Sequence, residues 1–224
     1  MTEPTSDALY RPHDLLKLRR CPLVPGAPEW VRDAFALAPF AVVRRAVAAP
    51  GSVAVGMRGR TRAERYAATI EYEDVEASLQ PEQLVHARPC PTRAALAPFA
   101  LLHALTHNAC LAGRHWGPAG SAAFELATGV PTITLASDLD LVIRAPRALD
   151  HEEARALLAD LQACAAAAGI RIDVQLETPT GGVALAEWAM RKSRTMVKCA
   201  DGARLIADPW SAEPAEPSHA REDE

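Results

Sequence analysis

The segment Ser137-Asp138-Leu139-Asp140-Leu141-Val142-Ile143 brings two acidic residues to the start of an apolar run. In a β-strand successive side chains point to opposite faces, so Asp138 and Asp140 share one face while Leu139, Leu141 and Ile143 line the other. Two carboxylates about 6.6 Å apart along a strand repel each other by about 2.5 kcal/mol at an effective dielectric of about 20. A cation would offset that repulsion. Because carboxylate oxygens are hard ligands, the segment predicts a site for Mg²⁺ or Mn²⁺.

A second acidic strand follows downstream. Residues 170–177 alternate apolar and polar side chains without exception, which predicts a strand whose polar face carries Asp173. Between the two strands, residues 151–168 are predicted to form a helix, since acidic residues open it and a glycine follows it. A strand–helix–strand connection permits one sheet on which Asp173 faces the same side as Asp138 and Asp140. All three are therefore candidate catalytic and metal-binding residues.

Upstream of the first acidic strand lies the glycine-rich segment Gly117-Pro118-Ala119-Gly120-Ser121. It predicts a tight turn that exposes backbone N–H groups to an anion, either as a nest or at the start of a helix. Residues 124–128 are predicted to continue in extended form. Gly120 and Ser121 are candidate substrate-binding residues that hold a leaving pyrophosphate. With cations on the carboxylates, the site supports in-line displacement at phosphorus, and Asp173 accepts or orients the proton of an incoming hydroxyl.

Each of these residues also has a structural interpretation. An isolated Asp-x-Asp is common in turns, and Ser137-Asp138 alone can serve as a cap. Glu125 and Glu177 are interpreted as structural or solvent-facing acids rather than metal ligands. His13 and His115 are expected to make local hydrogen bonds, and Trp116 and Trp188 are expected to fill the core rather than stack on adenine.

The composition limits the class of protein. The chain has 224 residues, 49% hydrophobic content, a net charge of −4 and a pI near 6.0. These values are typical of a globular protein with one or two small cores and argue against a general nucleic-acid binder. The first residues lack the basic and apolar regions of a secretion signal, and no apolar run approaches the roughly 20 residues that span a bilayer. We therefore expect a cytoplasmic protein without a membrane partner.

The chain contains five cysteines, which are dispersed along the sequence. Their number is odd and none is spaced as a pair of metal ligands, so we expect reduced thiols and no zinc site. The residues are Cys21, Cys90, Cys110, Cys164 and Cys199.

The predicted fold class is α/β (α+β), with a small N-terminal α/β domain followed by a mixed sheet with flanking helices. The Gly-Ser turn and paired acids on this sheet resemble those of nucleotidyltransferases, and the resemblance implies a nucleotidyltransferase-type mixed sheet. Residues 1–85 form the predicted substrate- or partner-binding domain, and the proline-rich residues 86–98 form the linker. Residues 99–210 form the catalytic domain, and residues 211–224 are predicted to be disordered. Within the first domain, residues 39–45 and 52–57 are predicted strands and residues 61–68 a short helix.

Basic residues in the first domain suggest how a large anion is held. Arg44, Arg45 and Arg58 are candidate phosphate-binding residues, because the planar guanidinium fork binds phosphate oxygens in pairs. Lys198, on a predicted late strand, is a candidate point charge. The alternative for each of them is ordinary solvent exposure. The same first-domain group also contains Arg60, Arg62 and Arg65.

The order of a Gly-Ser turn, an Asp-x-Asp strand and a third acid on a later strand resembles the polymerase-beta-type nucleotidyltransferase superfamily. Within it, the chain is similar to the malonate decarboxylase holo-acyl-carrier-protein synthase family, also called phosphoribosyl-dephospho-CoA transferases. The spacing between Ser121 and Asp138 is longer than in the wider superfamily but agrees with this family. The resemblance covers roughly residues 9–210. It is carried by residues 11–16, 55–59, 117–129, 137–141, 173–179, 186–189 and 208–210.

The resemblance implies a substrate, triphosphoribosyl-dephospho-CoA, whose triphosphate is attacked by a serine hydroxyl of the acyl-carrier subunit of malonate decarboxylase. Pyrophosphate departs and the carrier keeps the prosthetic group. The family pattern makes Asp138 and Asp140 the metal-binding catalytic acids. Two other functions stay open from the sequence: a nucleotidyltransferase acting on another protein or small molecule, and a non-catalytic module that binds the CoA derivative.

Overall fold

The computed structural model describes residues 9–24, 26–61 and 63–211 of the chain. Within these residues it contains two β-sheets and five α-helices, so the predicted α/β (α+β) class is confirmed. Arg62 and, apart from Ser211, the predicted disordered tail lie outside the described residues. No helix in the described ranges has both the length and the apolar character needed to cross a bilayer.

The first sheet is built from residues before position 80 and is antiparallel throughout. Its strands are β1 (Leu15–Leu18), β2 (Phe40–Val43), β3 (Ser52–Arg58), β4 (Arg65–Glu71) and β5 (Val75–Leu79), in the order β4-β3-β2-β1-β5. Helix α1 (Trp30–Leu37) packs against the sheet through Val31, which is fully buried with the strand residues. The predicted strands 39–45 and 52–57 are confirmed as β2 and β3.

The second sheet has six strands and mixed direction. It comprises β6 (His115–Pro118), β7 (Leu139–Arg144), β8 (Ile172–Glu177), β9 (Gly182–Ala184), β10 (Thr195–Cys199) and β11 (Gly202–Ile206), in the order β11-β10-β9-β8-β7-β6. Its helices are α2 (Ala97–Leu105), α3 (Gly120–Thr128), α4 (His151–Ala167) and α5 (Leu185–Trp188). Strands β7 and β8 are parallel, as the strand–helix–strand prediction requires, and the other neighbouring pairs are antiparallel.

The larger hydrophobic core lies on the apolar face of the second sheet. Leu139, Leu141 and Ile143 of β7 are at most 2% exposed and pack there with α2, α4 and α5. Trp116 and Trp188 belong to this core, which confirms their predicted role. The opposite, polar face of β7 and β8 is thereby left for contacts with the first sheet and for chemistry.

Two local predictions are wrong. Residues 61–68 were predicted to be helical, but strand β4 begins at Arg65, where the side chains alternate between exposed and more buried positions. Residues 124–128 were predicted to be extended, but they form the second half of α3, and a left-handed Gly129 ends that helix. Residues 65–71 pair with β3 in an antiparallel hairpin, and α3 packs between residues of both sheets that are distant in sequence. Tertiary contacts therefore outweigh the local pattern.

The two sheets meet through α3 and through buried charges. Ala123 and Phe124 of α3 pack against Leu15 of β1 in a small separate hydrophobic cluster. Arg144, at the end of β7, donates hydrogen bonds to the Asp14 carboxylate at 3.1 Å and to the Glu82 carboxylate at 2.9 Å. The segment 86–98, predicted to be a linker, runs through a short 3-10 helix (Pro91–Arg93) into α2.

A second buried contact between the sheets centres on Glu177 at the end of β8. Its carboxylate pairs with Arg45 and lies 3.2 Å from Nε2 of His13, and Gln175 donates to it at 2.6 Å. Burial opposes ionisation of Glu177, but His13 and Arg45 outweigh it and lower the pKa from 4.5 to about 2. Glu177 is thus a structural acid, as predicted, and His13 makes a hydrogen bond, as expected, but to a residue 164 positions away rather than locally.

The depressed pKa of Glu177 predicts a pH-dependent contribution to stability. The stabilisation is complete above about pH 4.5 and is lost as the pH falls towards 2. At roughly 1.4 kcal/mol per pKa unit it amounts to about 3 kcal/mol. Urea unfolding of the wild type and of Glu177→Gln should differ by about this much at pH 6, by about 1.4 kcal/mol at pH 3, and by little at pH 2 or below. A difference that stays constant over this range would contradict the assignment.

Candidate active site

The polar face of β7 and β8 carries charged residues in register. Asp140 is directly opposite Asp173 on the neighbouring parallel strand, so the two side chains share one face. In the next row, nearer the N-terminal ends of β7 and β8, Arg171 donates to the Asp138 carboxylate at 3.1 Å. Asp138 and Asp140 are half-buried and Asp173 is exposed. The acids therefore lie at one end of the polar face, and the contacts with the first sheet lie at the other end.

Helix α3 begins directly against the Asp140 strand. The backbone N–H of Ala119 donates to the Asp140 carbonyl at 2.9 Å. Gly120 has a φ of +56°, and a Cβ added there would lie 2.1 Å from Oδ2 of Asp140. Only glycine satisfies both constraints. The N-cap residue Ala119 has no side chain that can cap α3, and the first N–H groups of this helix lie next to an aspartate site.

Arg58, at the end of β3 in the first sheet, reaches this helix start. Its guanidinium donates to Oγ of Ser121 at 3.0 Å and lies 5.4 Å above the centre of the Phe124 ring. Burial and the nearby Arg65 lower the pKa of Arg58, and the carboxylates of Asp140 and Glu125 act in the opposite direction. Its Nε is buried and has no hydrogen-bond partner among the described residues. This predicted phosphate-binding residue therefore lies beside the predicted Gly-Ser turn.

The other predicted basic residues occupy different positions. Arg44 is exposed, packs its aliphatic part over Gly56, and lines a cleft of roughly 420 Å³ together with Arg58, Arg65 and Gly120. Arg45 is committed to the ion pair with Glu177.

Lys198 is exposed on β10, three strands away from Asp140 and two strands away from Asp173. The register Glu177–Gly182–Lys198 places it on the same face of the second sheet as Asp173. His115 is exposed on β6.

A buried network that the sequence analysis did not foresee fixes the loop between α3 and Asp138. Glu125, 3% exposed, accepts the backbone N–H groups of Thr132 and Ile133 at 2.7 and 2.8 Å and pairs with Arg93. Thr132 in turn donates to the Ser121 carbonyl at 2.9 Å. Glu125 is therefore structural, as predicted. No local sequence pattern marks Arg93 as its partner, because Arg93 lies in the proline-rich segment.

The donor set limits which metal the site can hold. Within the described ranges, no group of three or more His, Cys, Asp or Glu side chains is arranged to enclose an ion. The five cysteines are free. Two aspartates beside the N–H groups of a helix start suit Mg²⁺, because this ion is usually held by one or two carboxylates together with water and substrate phosphates. They suit less well an ion that takes all of its ligands from the protein.

Comparison with known proteins shows that the chain is related to a class of transferases. Residues 11–81 match the Phosphoribosyl-dephospho-CoA transferase MdcG N-terminal domain, and residues 83–209 match the corresponding C-terminal domain. The chain therefore belongs to the phosphoribosyl-dephospho-CoA transferase family, as the sequence resemblance indicated.

Individual relatives agree with the family match. Proteins named phosphoribosyl-dephospho-CoA transferase from Pseudomonas fluorescens Pf-5 and Pseudomonas putida W619 are 42% and 44% identical to the chain. Each alignment covers 90% of this chain and 94% or 95% of the relative. The relative from Pseudomonas aeruginosa PAO1 is 40% identical over 89% of this chain and 93% of its own length. No solved structure matches the chain significantly.

The contact between Gly120 and Asp140 yields a prediction with a matched control. Gly120→Ala should lose roughly 1–2 kcal/mol of stability through its positive φ and should also displace the Asp140 carboxylate. Gly113 has a similar φ of +73° with no atom within 4 Å of an added Cβ, so Gly113→Ala should show the stability loss alone. Urea unfolding and transferase assays of both variants check this. Equal activity in the two variants would contradict a role for the close approach.

Proposed function

We propose that this protein transfers the phosphoribosyl-dephospho-CoA group from triphosphoribosyl-dephospho-CoA to a serine of the acyl-carrier subunit of malonate decarboxylase, with release of pyrophosphate. The observation that carries the proposal is the Asp140 carboxylate held against the uncapped start of α3, in a chain of this family. The names of the relatives supply the transferred group. The carrier serine and the pyrophosphate product come from the family resemblance.

The mechanism that we propose is of the polymerase-beta type. Asp138 and Asp140 would hold Mg²⁺ or Mn²⁺, which when bound neutralises charge on the triphosphate and on the oxygens that attack and leave. Asp173 is the proposed third acid. Because Asp140 and Asp173 are neighbours in one row of the sheet, their mutual repulsion increases the affinity of that row for a cation.

The protein's own groups have separate roles in the transfer. The N–H groups of Gly120 and Ser121 bind the β- and γ-phosphates at the helix start, where the helix dipole favours negative charge. Arg58 supplies a guanidinium beside Ser121. Asp173 orients the serine hydroxyl of the carrier and accepts its proton.

The proposed transfer is a single displacement at the α-phosphorus. The serine oxygen forms a bond to the α-phosphorus, the bond between that phosphorus and the β-bridging oxygen breaks, and pyrophosphate leaves with the bonding electron pair. The proton of the hydroxyl passes to Asp173 and from there to solvent, since the Asp173 side chain is exposed.

Amide substitutions of the aspartates test the proposal. Asp138→Asn and Asp140→Asn should leave folding intact and abolish pyrophosphate release in the presence of the carrier and Mg²⁺, because the ion loses its charged ligands. Asp173→Asn should slow release by roughly 10²–10⁴-fold, the usual contribution of a positioned acid or base. The control is Asp160→Asn, exposed on α4, which should be fully active. Turnover retained by Asp138→Asn or Asp140→Asn would refute the proposed site.

Competition between substrates separates this function from transfer of an ordinary nucleotide. ATP at millimolar concentration should not compete with triphosphoribosyl-dephospho-CoA for transfer to the carrier. Labelling of the carrier by ATP alone would favour a different nucleotidyltransferase. Tight binding of the CoA derivative without any pyrophosphate release would favour a non-catalytic binding module.

A further inference from the structure

A cavity of roughly 720 Å³ lies between α1 of the first domain and the second half of α3 with its following loop. Its size is within the range of small-molecule binding sites. None of the groups assigned to the transfer step lines it, apart from Arg58. Its lining includes Trp30, Asp33, Leu37, Glu64, Phe124 and Val130.

Arg58 connects this cavity to the phosphate site. It lines both the large cavity and the smaller cleft that contains Gly120. One extended molecule can therefore place its phosphates in the cleft and another part in the cavity. Thr132, which also lines the cavity, donates to the carbonyl of Ser121 at 2.9 Å and ties the cavity wall to the helix start.

The charges of the two spaces differ and indicate which part of a ligand each takes. The cleft is lined by Arg44, Arg58 and Arg65 and by no acidic residue. The cavity is lined by two acidic residues, Asp33 and Glu64, and by two basic ones, Arg58 and Arg60. The formal charges of its lining therefore cancel, whereas those of the cleft add up to a positive charge. Phosphates are favoured in the cleft, and the cavity suits an uncharged group whose N–H donors can meet a carboxylate.

The remaining walls favour a flat aromatic group. Trp30 is half-buried and lines the cavity, and Leu37 and Val130 add apolar surface. On the other wall, the Arg58 guanidinium already lies over the Phe124 ring. Indole rings and guanidinium planes are the surfaces on which bases stack in proteins.

We propose that this cavity binds the adenine of the dephospho-CoA part of the substrate, with Trp30 as the stacking residue and Asp33 or Glu64 as acceptor for the exocyclic amine. The inference rests on the proposed function, since that function supplies the dephospho-CoA group. It adds a base-recognition site that draws residues from both domains.

Tryptophan fluorescence with simple adenine compounds tests the inference without turnover. The chain has four tryptophans, of which Trp116 and Trp188 are buried in the core. Titration with dephospho-CoA or AMP should quench the fluorescence of the wild type and of Trp210→Phe. The quench should disappear in Trp30→Phe, which preserves an aromatic ring for packing. A quench that persists in Trp30→Phe would overturn the proposal.

Calorimetry gives the affinities. Trp30→Ala should weaken dephospho-CoA binding by roughly 10-fold, in line with the loss of one stacked base. Leu37→Arg should also weaken it, and Val47→Arg, at another exposed apolar position that lies outside the cavity, should not. GMP, which presents an acceptor where adenine presents its amine, should bind more weakly than AMP. Equal binding of GMP, or competition by phosphopantetheine but not AMP, would overturn the assignment.

The two proposals fail in different ways. Pyrophosphate release by the wild type with the full substrate and the carrier tests the proposed function and does not depend on Trp30. If release occurs and Trp30→Ala leaves KM unchanged, the cavity inference is wrong and the function stands. If adenine compounds bind through Trp30 but no pyrophosphate is released, the proposed function is wrong and the cavity inference stands.

Discussion

The site depends on the absence of a side chain at Gly120. Helix α3 can begin against strand β7 only because residue 120 has a positive φ and no Cβ in the space that Asp140 occupies. This approach brings uncapped N–H groups and a carboxylate to one point, so a polyphosphate and a cation can be bound side by side. Any larger residue at position 120 would push the Asp140 carboxylate, which is proposed to hold the cation, away from the helix start, which is proposed to bind the polyphosphate.

The second requirement is the docking of the two domains. Arg58 comes from β3, yet it hydrogen-bonds to Ser121 and lies over Phe124 of α3. The buried pairs of Arg144 with Asp14 and of Arg45 with Glu177 hold the sheets in the position that makes this contact. Loss of one partner of such a pair leaves an uncompensated buried charge, so these pairs specify the domain arrangement more than they add net stability.

Local patterns were sufficient to predict the elements that carry the acids. Strict alternation in β8 and the Asp-x-Asp spacing at the start of β7 fixed which faces Asp140 and Asp173 occupy, and the parallel pairing then followed from the helix between them. The failures arise from contacts that a local periodicity does not encode. The strand at residue 65 depends on pairing with β3, the helix at residues 120–128 depends on packing between the two sheets, and the pairs Arg93–Glu125 and His13–Glu177 join residues 32 and 164 positions apart. No window of sequence contains both members of such pairs.

Anomalous diffraction from crystals grown with Mn²⁺ and inorganic pyrophosphate would test the central claim most directly. The account predicts a manganese peak bound by the carboxylates of Asp138 and Asp140, with pyrophosphate on the N–H groups of Gly120 and Ser121 and beside Arg58. Manganese bound away from these aspartates, or pyrophosphate bound away from the start of α3, would contradict it.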